Sequence, residues 1–101
     1  MLFFLDISVD SKDLSLDQLW DAWEAETDAA VGAIEAGLVK ALHKVAGDRR
    51  VVAIVDVPDH ATLDRMLMAG LPMADHLVIN ELTPVRPYEE FAADVKARWQ
   101  D

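Results

Sequence analysis

Glu26 is the ionisable residue whose position points most directly to chemistry. At about 100° per residue, residues 14–36 form an amphipathic helix whose apolar side comprises Leu16, Leu19, Trp20, Trp23, Thr27, Ala30, Val31 and Ile34. The other acids share one flank: Asp17, Asp21, Glu24, Asp28 and Glu35. Glu26 lies on the opposite flank, at the margin where the helix would meet its packing partner. A carboxylate set apart in this way could be a general acid or base, or simply a solvated residue.

Few other side chains offer chemistry. His43 and His76 lie on predicted strands, where each could reach a cleft or serve a structural role. Lys44 is expected to share a strand face with Lys40, where it could bind a substrate carboxylate or protect a sheet edge from aggregation. Arg49 lies in the loop that follows this strand. We take Glu26, His43 and His76 as candidate catalytic residues, and Lys44, Trp23 and Arg49 as candidate substrate-binding residues.

Composition narrows the class of protein. The 101 residues, 52% of them hydrophobic, suffice for a single domain with a hydrophobic core. A net charge of −10 argues against binding nucleic acid, which requires clustered Lys and Arg. No apolar run approaches a membrane span of about 20 residues, and the opening lacks a signal peptide, so a cytoplasmic location is expected. The sequence has no cysteine, phosphate loop, nucleophile elbow or metal-ligand spacing such as HxxxH, and we expect neither metal nor cofactor.

Three elements are predicted in the first half of the chain. Strict alternation over residues 2–9 indicates a strand with Phe3, Leu5, Ile7 and Val9 on one side. The long helix begins with a capping box, Ser15 and Gln18, and ends at Gly37. Residues 38–45 could continue a helix, but the glycines on either side favour a strand.

The second half repeats this order. Residues 51–57 form a β-branched strand that is apolar on both faces, and a second helix runs from the N-cap Asp59 to about Gly70. Residues 76–82 are predicted to form a strand. Pro84 and Pro87 rule out a central strand and precede a final helix, whose apolar stripe is Tyr88, Phe91, Val95 and Trp99.

This order of elements predicts an α+β fold of the ferredoxin-like βαββαβ type. Such a fold has a four-stranded antiparallel sheet with both helices on one face. We expect one domain over residues 1–101, with a core at 1–84 and a C-terminal helical extension at 85–101. The bare sheet face predicts a homodimer or a higher homo-oligomer. The C-terminal helix either covers a neighbouring subunit or folds back on its own domain.

The chain resembles the muconolactone isomerase family of dimeric α+β-barrel proteins. The likeness lies in the opening MLF, the spacing from Glu26 to Gly37, the strand LVKALHKVAG, the segment IVDV and the segment LPMADHLVINELTP. Family members have an acid eleven residues before the glycine that ends the first helix, so the resemblance implies a functional role for Glu26. It places Lys44 at a family arginine, which keeps the charge but loses bidentate geometry toward a carboxylate.

Departures from the family pattern fall on pocket positions. The family's HLWR reads ALHK here, so Ala41 replaces a histidine and His43 replaces an aromatic residue. Its YAN segment falls on residues 49–51, and its LPLFPYM becomes LPMADHL, which puts His76 near a tyrosine position. A histidine after the final TP segment is absent, and the C-terminal helix extends beyond the usual end. The resemblance therefore implies a retained fold with a substrate other than muconolactone.

Two main functions follow from these observations. The first is a cofactor-independent isomerase or cyclase that moves a proton on a small unsaturated lactone or a polyketide-like compound. The second is a non-catalytic ligand-binding or assembly protein with the same fold. A cofactor-free oxygenase is a third possibility, because the same barrel hosts such enzymes. Fold alone does not decide among them.

Overall fold

The computed structural model describes residues 1–99. Its strands are β1 (Leu2–Val9), β2 (Val39–Lys44), β3 (Arg50–Asp56) and β4 (Leu77–Val85), and its α-helices are α1 (Leu16–Glu35), α2 (His60–Arg65) and α3 (Tyr88–Ala97). A π-helical turn, Met66–Gly70, follows α2, and a 3₁₀ turn, Ala74–His76, precedes β4. The strands form one sheet in the order β2-β3-β1-β4, with every neighbouring pair antiparallel. The ferredoxin-like prediction is confirmed.

One face of the sheet carries the hydrophobic core. The alternating residues Phe3, Leu5, Ile7 and Val9 of β1 are all buried, because α1 and α2 lie over this face. Leu63 and Leu67 from the α2 segment pack against Phe3 and Val55 in one cluster. Leu19 of α1 joins Val9 and Met73 in a second cluster. Both helices therefore cover the same side of the sheet.

The opposite face, which we call the open face, has no covering element in residues 1–99. Leu2, Phe4 and Ile54 lie on it, all partly exposed. Polar residues occupy its middle, where Arg50 Nε donates to Asp6 Oδ1 at 3.0 Å. Asn80 bonds to the same carboxylate and also to Ser8 Oγ, at 3.2 and 2.7 Å. The open face is thus a mixed surface with an apolar end and a hydrogen-bonded centre.

The ends of α1 follow the signals in the sequence. Ser15 Oγ accepts from the Gln18 amide at 3.2 Å, and Gln18 Oε1 accepts from the Ser15 amide at 2.9 Å, which completes the predicted capping box. At the other end Gly37 has φ +80°, and its N–H donates to the Ile34 carbonyl. This left-handed position favours glycine, which has no Cβ.

The inward side of α1 differs from the predicted one. Leu16, Trp20, Val31 and Ile34 belong to the predicted core side, yet all four are about half exposed. The residues that face the sheet are instead Leu19, Ala22, Trp23, Glu26, Ala30 and Ala33. This corresponds to a rotation of about 60° away from the centre of the apolar stripe. Glu26 consequently lies on the inward side of the helix and not at its margin.

The last strand is longer than predicted and begins one residue later. His76 belongs to the 3₁₀ turn, because its N–H donates to the Met73 carbonyl at 2.8 Å, and β4 starts at Leu77. The strand continues through Pro84, which is tolerated because β4 is an edge strand. A register shift opposite Asp6 and Ile7 also puts Glu81 on the open face, whereas strict alternation along the strand would put Glu81 on the same face as Leu77 and Ile79.

The second helix contains a change of winding that the sequence did not indicate. Asp59 caps it as predicted and accepts from the Thr62 amide at 2.7 Å. Regular α-helix ends at Arg65, and the chain continues as a π-helical turn to Gly70. Leu67 in this turn is buried against the sheet.

The final helix, α3, projects away from the domain. Tyr88 and Trp99 are 74% and 68% exposed, and within residues 1–99 α3 has no more than marginal contact with any other element. Its order comes from Arg86, which bonds to Asp94 at 2.7 Å and lies over the rings of Phe91 and Trp99. The alternative in which this helix folds back on its own domain is therefore wrong. The molecule measures 57 × 26 × 20 Å, and no described helix is long and apolar enough to cross a membrane.

Candidate active site

A cavity of about 500 Å³ separates α1 from the buried face of the sheet. Its floor is formed by β1, β2 and β3, and its far wall by the segment 66–73. The lining is almost entirely apolar. Among the described residues, the side chains with polar groups that can ionise or hydrogen-bond there are Glu24, Glu26, Thr27 and Lys44, together with the tryptophan N–H groups of Trp20 and Trp23.

Helix α1 is fixed to the rest of the domain near both of its ends, and the cavity lies between these two points. At its N-terminal end Leu19, which is 1% exposed, packs against Val9 and Met73. At its C-terminal end the turn at Gly37 leads directly into β2. Between these anchors α1 presents the small side chains Ala30 and Ala33 to the cavity. Their size leaves the space open.

Glu26 supplies the carboxylate of this cavity. Its Oε2 is inaccessible to solvent and has no hydrogen-bond partner among residues 1–99. Burial raises the pKa of Glu26 above its ordinary value of 4.5, and the backbone of Met73 acts in the opposite direction through a hydrogen bond. Burial dominates because removing a carboxylate from water disfavours its charged form. The result is a carboxyl group able to exchange a proton at a higher pH than a surface glutamate.

Two of the other candidate residues share the cavity with Glu26. Trp23 lines it and packs next to Trp20, with ring centroids 6.0 Å apart. Lys44, at the end of β2, also lines it, but the side chain is exposed and its Nζ donates to the Val45 carbonyl at 2.8 Å. The register shift in β2 between Val39 and Ala41 brings Val39, and not Lys40, into the lining with Lys44.

The structure does not bring the remaining three candidates to this cavity. His43 is exposed and pairs in register with Val52. His76 Nδ1 lies 2.9 Å from the Asp10 carbonyl oxygen, outside the lining. Arg49 is exposed in the β2–β3 loop, where its carbonyl accepts from the Val9 amide.

Sequence reasoning identified one part of the far wall of the cavity, the segment LPMADHL, and missed Met66 and Leu67. Met66, Leu67, Leu71 and Met73 form this wall, and Met73 is fully buried. The departures from the family pattern in LPMADHL had marked this region as part of a pocket. The irregular backbone between residues 66 and 76 could not be read from apolar spacing alone.

The ionisable groups here are not arranged as a metal site. Among residues 1–99, no three or more His, Asp or Glu side chains lie close enough together to bind a metal ion. What the cavity offers is one partly buried acid in apolar surroundings, two indole rings and a lysine at its edge.

Comparison with known proteins gives two results. The family model for muconolactone delta-isomerase matches residues 1–91. A crystal structure of muconolactone isomerase at 3.3 Å resolution superposes with a TM-score of 0.67 and 23% sequence identity, covering 86% of this chain and 90% of that one. Comparison with curated proteins gives no significant match.

These two likenesses carry different weight. At 23% identity the structural match shows the fold, which agrees with the βαββαβ order and the antiparallel sheet. The family model, in contrast, extends from β1 into the first turn of α3 and includes every residue that lines the cavity. The chain therefore belongs to the muconolactone delta-isomerase family.

Proposed function

We propose that this protein is a cofactor-independent isomerase that moves a double bond in a small unsaturated lactone or a related oxygenated compound. Glu26 is the proton shuttle in this proposal. The observation that carries it is the unpartnered, solvent-inaccessible Oε2 of Glu26 inside an apolar cavity. Family membership supports the proposal, and Glu26 is also the acid that the family spacing selects.

The chemistry requires one group that both removes and returns a proton. Migration of a double bond toward a carbonyl begins with loss of a proton from the carbon between them, which gives an enolate. Return of that proton to the far carbon completes the shift, so one carboxylate can serve both steps. Burial raises the pKa of Glu26 and so brings its basicity closer to that of the enolate.

Lys44 is the candidate for stabilising the enolate oxygen. Its Nζ is bonded to the exposed Val45 carbonyl, and a bound substrate would have to compete for that donor. A cation close to a developing oxyanion stabilises the transition state more than the ground state. In this proposal Lys44 assists the reaction, whereas Glu26 is essential for it.

The test is a Glu26→Gln substitution measured against Glu35→Gln as a control. Glu35 is exposed at the end of the same helix and does not line the cavity. With β,γ-unsaturated butenolides as probes, NMR in D₂O reports both isomerisation and deuterium incorporation. We expect Glu26→Gln to lower the rate roughly 10²- to 10⁴-fold and Glu35→Gln to leave it unchanged. Full activity in Glu26→Gln would refute the mechanism.

A second function, ligand binding without catalysis, is favoured because the cavity has few polar groups. Lys44 is the only described basic side chain in the lining, and its Nζ is bonded to the Val45 carbonyl. A non-catalytic ligand-binding protein needs no more than this, and a polyketide-type cyclase would use the same acid on a larger compound. Ligand binding without any exchange of substrate protons for deuterium would favour the binding function.

We also propose that the protein is a homo-oligomer. Within residues 1–99 of one protomer, apolar side chains remain uncovered on three surfaces: the apolar end of the open face, the exposed stripe of α1 and the projecting helix α3. A symmetric dimer through the open face would cover the first of them, and α3 would then extend over a neighbouring subunit.

A further inference from the structure

The distribution of charge in the cavity restricts the substrate that it can accept. The inference takes the cavity to be the substrate site of the proposed function. Its described charged residues are two acids, Glu24 and Glu26, and one base, Lys44. Glu24 and Lys44 are both exposed, so Glu26 is the charged group in the interior of the cavity.

The single base lies at the edge of the cavity, where it can meet the enolate oxygen of the proposed reaction but cannot neutralise a carboxylate held beside Glu26 in the interior. Lys44 is exposed, and its Nζ donates to the Val45 carbonyl at 2.8 Å. Lysine commonly packs its aliphatic stem along apolar surface and keeps its ammonium group in water. Lys44 therefore contributes hydrocarbon to the lining, with its charge at the edge.

The acid inside the cavity opposes a second negative charge. Glu26 Oε2 is inaccessible and unpartnered, so an ionised ligand beside it would place two anions in apolar surroundings. Like charges at short range and loss of hydration both disfavour that arrangement. A neutral ligand that presents an acidic C–H or an O–H to Oε2 would instead satisfy the unpaired oxygen.

The volume of the cavity and its aromatic lining indicate the size and shape of the ligand. A volume of about 500 Å³ falls within the range of roughly 300–1,000 Å³ that is typical of pockets for small organic ligands. Two indole rings, Trp20 and Trp23, form one side. Flat aromatic or polyene compounds pack well against such surfaces.

We infer that the substrate is an uncharged, largely hydrocarbon, unsaturated carbonyl compound with two or three fused rings. A carboxylate-bearing lactone is excluded by this inference. The polar part of the ligand is a single carbonyl or enol group, positioned at Glu26.

The test compares two ligands that have nearly the same shape and differ in charge. Calorimetric titration of the full-length protein near neutral pH would measure the affinities of 2-acetonaphthone and 2-naphthoate. We expect the ketone to bind roughly tenfold or more tightly than the carboxylate. Equal or tighter binding of the carboxylate, or no binding of either compound, would overturn the inference.

Three variants locate and explain the preference. Glu26→Gln should reduce the difference in affinity between the two ligands, because removal of the negative charge of Glu26 improves binding of the carboxylate. Lys44→Met should leave the preference for the ketone over the carboxylate unchanged. If Lys44→Met lost the ability to bind the carboxylate, Lys44 would be shown to bind it in the cavity, which would contradict the inference. Ala30→Phe fills the cavity and should weaken binding of the ketone, with circular dichroism as the check on folding; retained affinity would place the ligand elsewhere.

The test of the substrate class can be separated from the test of the proposed mechanism. Ligand preference is an equilibrium measurement, and it can hold even if Glu26→Gln leaves turnover intact. In that case the mechanism fails and the substrate class stands. Conversely, loss of turnover in Glu26→Gln together with a preference for 2-naphthoate would leave the mechanism standing and reject the substrate class.

Discussion

Glu26 combines two properties that the rest of the acidic residues in α1 lack. It lies on the inward side of the helix, and one of its oxygens is both inaccessible to solvent and without a hydrogen-bond partner among residues 1–99. Its isolation from the other acids of α1 could be read from helical periodicity. The environment that sets its pKa could not, because it includes the backbone of Met73, which is 47 residues further along the chain and lowers the pKa through a hydrogen bond against the larger effect of burial.

Stability should depend on pH through this residue. The carboxyl group titrates near 4.5 in the unfolded chain and at a higher pKa in the folded protein. Between the two pKa values the folded state binds more protons than the unfolded state, so stability falls as pH rises through this interval and levels off above it.

A comparison of Glu26→Gln with wild type isolates the part of the pH dependence of stability that comes from titration of Glu26. From about pH 4 to about pH 8, we expect the melting temperature of the wild type to fall relative to that of Glu26→Gln, and the change to be modest because the carboxyl group is only partly buried. Differential scanning calorimetry at several pH values measures it, with Glu35→Gln as the matched control. A constant difference between wild type and Glu26→Gln across this range would show that the fold does not perturb the carboxyl group.

The helix α1 shows how far its sequence pattern determines its packing. Ser15, Gln18 and Gly37 predicted both ends of the helix within two residues, because capping is a local interaction. The direction in which the helix faces was predicted less well. Trp20 and Val31 contribute strongly to the apolar stripe but are 52% and 53% exposed in the protomer. The apolar stripe includes every apolar side chain on the helix, both those that pack on the sheet and any that a second subunit would cover. Its centre therefore does not coincide with the side that faces the sheet.

Strand order, in contrast, followed from the pattern of elements. Alternation in β1 and the β-branched composition of β3 correctly predicted the two central strands. The bulge near Asn80 and the change of winding at Met66 were not predicted, because both depend on contacts between distant segments. His76 illustrates the consequence, since the strand assumed to carry it starts one residue later.

Substitution by alanine should have opposite effects on stability at two glycines, Gly70 in the π-helical turn and Gly32 in α1. A Cβ at Gly70 would lie 3.1 Å from the Arg65 carbonyl oxygen, whereas a Cβ at Gly32 in α1 would meet nothing within 4 Å. We expect Gly32→Ala to stabilise the protein by about 0.5–1 kcal/mol, because alanine has the higher helix propensity.

Gly70→Ala should destabilise the protein, because either the backbone of the turn or the added methyl group must move. Urea unfolding of the two variants alongside wild type measures both free energies. Equal stabilisation by the two alanines would mean that the turn can relax at no cost to the fold.

At the scale of the whole molecule, the exposed apolar surfaces set the expectation for assembly. A globular chain of this length has a radius of gyration of about 13 Å, but this one has 16.1 Å. Projection of α3 accounts for much of the difference. Its aromatic residues are arranged by Arg86 on a helix that has almost no packing of its own, which favours docking on another subunit.

Disruption of the open face should therefore disrupt the oligomer. We expect wild-type protein to elute as a dimer or a larger assembly in size-exclusion chromatography with light scattering. Phe4→Arg places a charge at the apolar end of the open face and should shift the mass toward that of a monomer. Met68→Arg, at an exposed position away from the open face, is the control. A monomeric wild type, or a Phe4→Arg variant of unchanged mass, would contradict the proposed interface.

The irregular segment between residues 66 and 76 has a consequence for how this family can diversify. It supplies the far wall of the cavity but takes almost no part in the backbone pairing of the sheet. Substitutions at Met66 or Leu71 can alter the shape offered to a ligand while the strands and the Glu26 helix keep their positions. Selection for a new substrate can therefore act on this wall first, and related chains should differ more there than along β1 and β3.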